Sequence, residues 1–200
     1  MPERDAAAPE AVAAQVLHLL RTTGALLEGH FLLSSGLHSD RYVQCARLLQ
    51  YPPHAEALGR WLAARFAGAA VRAVVSPALG GILIGHEVAR ALGARALFGE
   101  REAGVMTLRR GLELQPGERV LVVEDVITTG GSVREVLALV ARHGGEAVGV
   151  GAILDRSGGQ VRFAVPLHAL ATLEVPVYSP QDCPLCRQGR PLSKPGSRQR

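Results

Sequence analysis

Residues 119–132 read Arg-Val-Leu-Val-Val-Glu-Asp-Val-Ile-Thr-Thr-Gly-Gly-Ser, and this stretch decides the fold. Its uninterrupted apolar run at 120–123 favours a strand that is buried on both faces, as in a parallel sheet. After the glycines, Val133, Val136, Leu137 and Val140 recur at helical spacing. A second apolar run at 147–154 completes a strand–helix–strand unit, whose crossover we expect to be right-handed.

The segments before this unit extend the same alternation of helices and strands. Helices are predicted over about 9–23, after Pro52-Pro53, and over 82–92. Strands are predicted at 73–75 and 94–98, with a loop at 77–81. The sequence therefore predicts an α/β domain with an open sheet that helices cover.

Two features of the decisive stretch suggest a phosphorylated sugar as ligand. Glu124 and Asp125 follow Val123 directly, so we expect them beyond the carboxyl end of a strand, where open α/β sheets bind ligands. Two carboxylates can accept hydrogen bonds from a vicinal diol such as a ribose. Residues 128–132 open the next helix, where backbone N–H groups, hydroxyls and partial positive charge suit a phosphate.

Each feature alone also has a structural interpretation. Acidic residues often end strands because they are solvated, and a Thr-Gly-Gly-Ser turn often only caps a helix. The joined string is more specific. It lacks the GxxxxGK[ST] spacing of nucleoside-triphosphate loops and the GxGxxG of dinucleotide folds.

The string at 120–132 resembles the phosphoribosyl diphosphate (PRPP) signature of the type I phosphoribosyltransferases. Segments 24–27 and 31–40 resemble the amino-terminal part of the orotate phosphoribosyltransferases, 76–81 their diphosphate loop and 154–156 their orotate-contacting segment. This resemblance covers about residues 20–190. It implies an open, mainly parallel twisted sheet flanked by helices in one domain, 1–182, with a small hood. The expected parts are hood segments at about 1–45 and 157–182, a core at about 52–156, and a tail at 183–200.

The resemblance also implies a reaction and the residues that carry it. The phosphoribosyl group of PRPP would pass to N1 of orotate in pyrimidine nucleotide synthesis, with Mg²⁺ as cofactor. Arg101 and Asp125 are the implied catalytic residues. The implied PRPP-binding residues are Leu79, Gly80, Arg101, Glu124, Asp125, Val126, Ile127, Thr128, Thr129, Gly130, Gly131 and Ser132. The implied orotate-binding residues are Ser35, Gly36, Thr128 and Arg156. The guanidinium of Arg156 suits a carboxylate, although pairing with a nearby acidic residue is the structural alternative.

Arg101 stands where the family commonly has a catalytic lysine. Residues 101–106 are predicted as a loop that is shorter than the family's and has neither lysine nor histidine. Such loops reach across a homodimer interface in the family, so the resemblance implies a homodimer and leaves open which subunit's site Arg101 serves. A solvated basic hairpin is the structural alternative.

Composition limits the partners. The 200 residues are 48% hydrophobic and 20% charged, as in a globular domain. Residues 182–200 carry five basic and one acidic residue of the chain's 22 and 18, so the remainder is neutral and the net charge of +4 lies in the tail. We therefore expect no nucleic-acid partner and a solvated, frayed tail. The one lysine, Lys194, lies in that tail, so cationic chemistry in the body is expected to use arginine.

The sequence predicts a cytoplasmic protein with no membrane partner. No apolar run approaches the ~18–20 residues that a membrane helix needs, and the amino terminus lacks the order of a secretory signal. Three cysteines are too few for a disulfide framework.

The pair Cys183 and Cys186 has the Cys-x-x-Cys spacing of zinc sites. A tetrahedral site needs four ligands, however, and only Cys45 remains, with no histidine near in sequence. Plain thiols and no metal-ligating residues are therefore predicted, although completion of a site across a dimer stays open. His38 is predicted to be solvated or structural.

Two other functions stay open. A purine phosphoribosyltransferase would have an aromatic stacking residue in the base pocket and no need for Arg156. A PRPP-sensing regulator of the same fold would have a basic face or an added DNA-binding domain.

Overall fold

The computed structural model describes residues 8–33 and 35–195. Ser34, the first seven residues of the expected hood and the last five of the expected tail lie outside the described residues. Within the described part, no helix is both long enough and apolar enough to cross a membrane.

Helices and strands alternate along most of the described chain. In order they are α1 (Pro9–Thr22), β1 (Leu26–Leu32), β2 (His38–Val43), α2 (Ala46–Leu49), α3 (Pro52–Ala64), β3 (Ala73–Pro77), α4 (Gly80–Leu92), β4 (Arg95–Glu102), β5 (Val105–Leu108), β6 (Arg119–Ile127), α5 (Gly131–Arg142), β7 (Glu146–Asp155), β8 (Leu167–Thr172), β9 (Val177–Tyr178) and α6 (Pro184–Arg187).

A six-stranded sheet forms the centre, in the order β5-β4-β3-β6-β7-β8. Every neighbouring pair is parallel except β4 and β5. After β3 the chain adds β4 and β5 on one side of the sheet, and after β6 it adds β7 and β8 on the other side. The direction in which strands are added therefore reverses between β3 and β6. Such a switch point opens a crevice at the carboxyl ends of the strands. The predicted open, mainly parallel α/β sheet is confirmed.

The apolar run of β6 is buried on both faces, as its composition predicts. Leu121 and Val123 pack into a core with α1, α3 and α4, whereas Val120 and Val122 pack into a second core with α5 and β5. The side chains of a strand alternate between faces, so four consecutive apolar residues supply both cores at once.

A second, antiparallel sheet of β1, β2 and β9 forms the hood from both ends of the described chain. The expected domain boundaries differ from the structure in two places. Helix α1, placed in the hood segment 1–45, packs its apolar stripe against α3 and β8 of the core. Strand β8, placed in the hood segment 157–182, completes the edge of the central sheet because it pairs with β7.

The segment 183–195 is also not the frayed tail that its charge suggested. Cys183 and Leu185 are buried, and the backbone of Ser193 pairs with that of His30 and Leu32 in β1. The apolar residues Pro184 and Leu185 interrupt the polar composition and anchor this stretch.

Two local predictions near the crevice were wrong, and at a third segment the structure shows the hairpin that was the stated alternative. Strand β6 continues through Glu124 to Ile127 because its backbone keeps pairing with β7, so the acidic pair lies inside the strand. Helix α4 begins at Gly80, within the predicted loop. Residues 101–106 form the tip of the β4–β5 hairpin, whose turn residues Ala103 and Gly104 both have positive φ, as a two-residue hairpin turn requires.

Candidate active site

The crevice at the switch point is lined by segments that follow two adjacent strands. The turn at Ala78 and Leu79 leads from β3 into α4, and residues 128–130 lead from β6 into α5. Because β3 and β6 are neighbours in the sheet, the amino-terminal ends of both helices face the same space. Helix amino termini present unpaired N–H groups, so this space favours anions.

The acidic pair forms the floor of the crevice. Glu124 Oε1 accepts a hydrogen bond from the backbone N–H of Asp125 at 3.1 Å, and Asp125 Oδ1 accepts one from that of Val126 at 2.8 Å. Burial and the neighbouring Asp125 carboxylate together raise the pKa of Glu124 to about 9. Burial also raises the pKa of Asp125. The pair therefore holds a proton at neutral pH and favours any ligand that brings hydrogen-bond donors or positive charge.

The start of α4 lies directly against these carboxylates. A Cβ atom on Gly80 would lie 2.8 Å from Asp125 Oδ2, and one on Gly81 would lie 3.2 Å from Glu124 Oε1. Glycine at both positions thus allows the helix backbone to approach the acidic pair. Leu79, which precedes them, is 83% exposed, and the Ala78–Leu79 peptide bond is cis.

The loop at 128–130 turns sharply into α5. Gly130 has φ +75°, and a Cβ there would lie 2.7 Å from Arg134 Nη1 and 3.0 Å from Phe163. Arg134 braces the loop from α5, because its Nη1 donates to the Thr129 carbonyl at 2.7 Å and its guanidinium lies over the Phe163 ring. Thr128 and Thr129 in this loop are exposed.

Arg101 lies beside the first turn of α5 of its own chain. Its Nε and Nη2 donate to the carboxylate of Glu135 at 2.8 and 3.1 Å, and Nη2 also lies 3.4 Å from Ser132 Oγ. The Glu135 carboxylate raises the pKa of Arg101 further, so the guanidinium is charged. A positive charge therefore flanks the phosphate-sized space above α5.

A cavity of about 1260 Å³ extends from the acidic pair to the hood. Asp125, Val126, Thr128 and Thr129 line its core side. Leu32, Leu33, Ser35, Leu37, Tyr42 and Val177 line its hood side. The hood sheet therefore forms one wall of the cavity, and the carboxyl ends of the central sheet form the other.

Arg156 lies in this cavity without a carboxylate partner among the described residues. Its backbone N–H donates to the Ile127 carbonyl at 2.8 Å, which places it next to Thr128 across the β6–β7 ladder. Its Nε is buried and makes no hydrogen bond, and burial lowers its pKa. A half-buried guanidinium with unused donors suits a ligand carboxylate.

The loop that carries Arg156 is fixed by its neighbour Asp155. Asp155 is buried, and its carboxylate accepts hydrogen bonds from the backbone N–H groups of Ser157 at 2.7 Å and Gly159 at 3.2 Å. Tyr42, from β2, lines the same cavity as Asp125 and Arg156. Burial and the Asp125 carboxylate raise the pKa of the Tyr42 hydroxyl, which stays protonated.

Six of the fifteen predicted site residues line the cavity. They are Ser35, Asp125, Val126, Thr128, Thr129 and Arg156. Gly36 does not line it and is exposed at a turn of positive φ, where it lets the hood strands connect. Ile127 is buried among apolar residues of the second core, so only its backbone faces the site.

Four further residues at the site escaped the sequence analysis: Tyr42, Arg134, Asp155 and Lys194. Lys194 lines the cavity, so the expectation that only arginine supplies cations there was wrong, because the segment 183–195 folds back onto β1. Asp155 had a signal in the sequence, since an aspartate before Arg-Ser-Gly-Gly is typical of a side chain that caps its own turn. Tyr42 and Lys194 reach the site from distant segments, whereas Arg134 contacts it locally through Thr129 and packs on the distant Phe163.

Comparison with known proteins identifies the family. Residues 45–164 match the model of the phosphoribosyl transferase domain. The chain is 59% identical over 184 residues to the orotate phosphoribosyltransferase of Pelotomaculum thermopropionicum, covering 92% of this chain and 97% of that protein. The chain belongs to the orotate phosphoribosyltransferase family.

Two further members of the orotate phosphoribosyltransferase family extend this result. The Thermotoga maritima protein is 56% identical, with 92% of this chain and 98% of that protein covered. The crystal structure of the Aeropyrum pernix protein superimposes with a TM-score of 0.66 at 29% identity, over 79% of this chain and 93% of that chain. The resemblance of the sequence to the type I phosphoribosyltransferases is thereby confirmed over nearly the whole chain.

Proposed function

We propose that the chain transfers the 5-phosphoribosyl group of PRPP to N1 of orotate, which yields orotidine 5′-monophosphate and diphosphate. Orotate releases its N1 proton to solvent, the N1–C1′ bond forms, and the C1′–O bond to diphosphate breaks with its electron pair leaving on diphosphate. Positive charge develops on the ribose and negative charge on the leaving group. A site for this reaction needs carboxylates near the sugar and cations near the diphosphate.

The observation that carries the proposal is the position of Arg156. Its guanidinium lies in the same cavity as Asp125 and Thr128, with no carboxylate partner in the described chain. A carboxylate on the base satisfies this group, whereas a purine base leaves it unpaired. Relatives that are 53–59% identical to this chain are named orotate phosphoribosyltransferases, which agrees with orotate as the base.

PRPP is assigned to the crevice between α4 and α5. Residues 128–132 grip the 5′-phosphate through backbone N–H groups and hydroxyls at the start of α5. Glu124 and Asp125 accept hydrogen bonds from the ribose hydroxyls, and their charge favours a cationic sugar. Leu79 and Gly80 offer backbone N–H groups to the diphosphate. Arg101, 2.8 Å from Glu135 in the free protein, is the cation that neutralises it.

Mg²⁺ is the proposed cofactor, and the residues present fit it. The raised pKa of Glu124 marks a carboxylate pair that lacks compensating positive charge, and oxygen ligands are those that Mg²⁺ prefers. Asp125 would hold the ion together with oxygens of PRPP and water. When bound, Mg²⁺ neutralises charge on the diphosphate leaving group.

A homodimer is proposed as the working assembly. The hairpin tip carries Val105, which is 55% exposed, and the crevice edge carries the exposed apolar residues Leu79 and Leu83. Contact between chains would cover such residues. The free thiols of Cys45, Cys183 and Cys186 suit the reducing cytoplasm, which we propose as its location.

The test of the base is a direct comparison of substrates. Purified chain is incubated with PRPP and Mg²⁺ together with orotate, adenine, hypoxanthine or uracil, and nucleotide formation is followed by absorbance and chromatography. Only orotate is expected to react. Reaction with adenine but not orotate would overturn the assignment, and binding of PRPP without any turnover would favour a regulator.

The Arg156→Ala variant tests whether Arg156 binds the carboxylate of orotate. Loss of a charge-assisted contact is expected to raise the KM for orotate about 10- to 100-fold, while the KM for PRPP changes little. Arg60→Ala, on an exposed face of α3, is the matched control and should match the wild type. Equal increases in both KM values for Arg156→Ala would remove it from the base site.

A further inference from the structure

Four metal-ligating side chains meet beneath the hood sheet, away from the chemistry proposed above. His30 comes from β1, His38 from the first position of β2, and Cys183 and Cys186 from the start of α6. One ligand atom of each lies within 4.8 Å of the others. We propose that these residues bind one zinc ion, which fastens the carboxyl-terminal segment of the chain to the hood.

The distances agree with a tetrahedral site. His30 Nε2 lies 3.5 Å from Cys183 Sγ and 3.7 Å from Cys186 Sγ, and His38 Nδ1 lies 3.3 Å from Cys186 Sγ. Donors around tetrahedral zinc, with Zn–S near 2.3 Å and Zn–N near 2.0–2.1 Å, are separated by roughly 3.6 Å for sulfur to nitrogen and roughly 3.4 Å for nitrogen to nitrogen. The two ring nitrogens are 2.9 Å apart, so a bound ion would need to spread them by only a few tenths of an ångström.

The second nitrogen of His30 already has the partner that a zinc-bound histidine needs. His30 Nδ1 lies 2.9 Å from the backbone carbonyl of Arg190 and donates to it. That hydrogen bond places the ring proton on Nδ1, so Nε2 carries the lone pair that a metal needs, and it lies within 3.7 Å of His38 Nδ1 and both sulfurs. Outer partners of this kind orient metal-binding histidines and select their tautomer.

Burial distinguishes this cluster from side chains that meet by chance at the protein surface. His30, His38 and Cys183 are buried, and only Cys186 is exposed. Four protein ligands leave no open position on the ion, which is the arrangement of a structural rather than a catalytic zinc site. Two thiolates with two imidazoles in a tetrahedron select zinc over the hard cation Mg²⁺.

The local backbone is shaped around the cluster. The β1–β2 pairing has a bulge between Glu28 and Phe31, where Gly29 and His30 face the single residue Asp40. Bulges change the direction in which a side chain points. On the other side, α6 is only four residues long, so it needs outside support to stay folded.

The ion would act on the active site through the segment that it fastens. The backbone of Ser193 bonds to His30 and Leu32, and the next residue, Lys194, lines the large cavity. A zinc ion between β1 and α6 closes the loop between residues 30 and 183 in the folded state. Its removal should therefore loosen the hood wall of the cavity while the central sheet stays folded.

The four side chains could not be grouped from the sequence for a specific reason. No histidine is near Cys183 along the chain, and the two that complete the set are 153 and 148 residues away from their cysteine partners. Cys45, the remaining candidate by elimination, lies in the apolar core instead.

The first test is the metal content of the purified protein. The chain is freed of any affinity tag, kept reduced, dialysed against a weak chelator and measured by mass spectrometry of metals. One zinc per chain is expected. Cys186→Ser and His30→Gln should each lower the zinc affinity by more than the roughly 10- to 100-fold that loss of an outer partner costs. Cys45→Ala and His86→Ala are the matched controls and should keep one zinc per chain.

A second measurement does not depend on the variants folding. Wild-type protein is stripped with a strong chelator and titrated with Co²⁺. The expected spectrum has the visible bands of tetrahedral cobalt and a sulfur-to-metal charge-transfer band in the near ultraviolet, and zinc should abolish both. An octahedral spectrum, a Cys183–Cys186 disulfide in the reduced protein, stoichiometric iron, or a zinc affinity of Cys186→Ser equal to that of the wild type would each overturn the proposal. None of these results depends on which base the enzyme accepts.

Discussion

Glu124 and Asp125 contribute little to the stability of the folded protein. Burial and mutual repulsion raise the pKa of Glu124 to about 9, so the free protein keeps a proton on a carboxyl that would be ionised in the unfolded chain. The stabilisation is supplied instead by ligands that bring donors or positive charge. Residues selected for binding in this way commonly reduce stability.

Glu124→Gln should therefore stabilise the protein and weaken its function. The folded pKa lies above the unfolded value near 4.5, so the contribution of Glu124 to stability is present below that pH and lost as the pH rises towards about 9. We expect the variant to match the wild type near pH 5 and to exceed it by about 1–3 kcal/mol near pH 8, with weaker PRPP binding. Thermal unfolding and calorimetric titration across this range check both signs, and parallel stability curves would contradict the assigned pKa.

The backbone of α4 approaches the same carboxylates too closely for a side chain. A methyl group on Gly80 would lie 2.8 Å from Asp125 Oδ2, and the carboxylate cannot retreat because Val126 N–H holds its other oxygen at 2.8 Å. Gly80→Ala should lower kcat/KM for PRPP by at least about tenfold, the effect of roughly 1.4 kcal/mol of misplacement. Gly68→Ala, where nothing lies within 4 Å, is the matched control and should keep full activity. Unchanged PRPP kinetics in Gly80→Ala would separate α4 from the PRPP site.

At the scale of secondary-structure elements, the β4–β5 hairpin and α5 act together. The hairpin brings Arg101 to the first turn of α5, where Glu135 holds it beside Ser132. Both side chains of this ion pair are more than a third exposed, so the pair contributes at most about 1 kcal/mol to stability. An incoming diphosphate can therefore take Arg101 from Glu135 at little cost.

Arg101→Ala should lower kcat about 100-fold, the usual effect of losing one group that stabilises transition-state charge, while PRPP binding is mostly retained. Glu135→Gln should change kcat by less than about threefold, because the exposed pair is weak. Arg110→Ala breaks a comparable exposed ion pair with Glu100 on the same hairpin and should behave as the wild type. Steady-state kinetics and PRPP titrations separate these cases, and full turnover in Arg101→Ala would remove it from the mechanism.

At the scale of the whole molecule, the site joins two sheets. The central sheet supplies the acidic pair and leads into the loop at 128–130, and the hood, built from both ends of the described chain, supplies Ser35 and Tyr42. Neither sheet alone encloses the cavity. Access for substrates therefore depends on how firmly the hood is fastened.

Mixing two inactive variants tells whether Arg101 serves its own subunit. Arg101→Ala and Asp125→Asn chains are unfolded together, refolded and assayed beside each variant treated alone. The distance of 2.8 Å to Glu135 of the same chain leads us to expect no recovery of activity, because every site then carries one defect. Recovery would show that Arg101 reaches a neighbouring site, since a mixed dimer then contains one intact site. The subunit ratio of the mixture is checked by native mass spectrometry.

The pattern of residues along the chain was enough to predict β3, β4, β6 and β7 of the central sheet and the helices that cover it, whereas β5 and β8 were not predicted. The run at 120–123 specifies a strand buried on both faces, and glycine followed by helical periodicity specifies the turn into α5. These are local properties, readable because side-chain spacing along the chain maps directly onto faces of an element. At Glu124 and Asp125 the acidic residues predicted the end of the strand, but backbone pairing with β7 continues the strand through both residues.

Only the tertiary structure decided which charges find partners. Among the residues that the structure describes, it left Arg156 without a carboxylate partner, paired Arg101 with Glu135, brought Lys194 to the cavity, and placed His30 and His38 beside Cys183 and Cys186. These contacts join segments that are up to 156 residues apart. The spacing of residues along the chain does not predict such contacts, because they depend on how the sheets and helices pack.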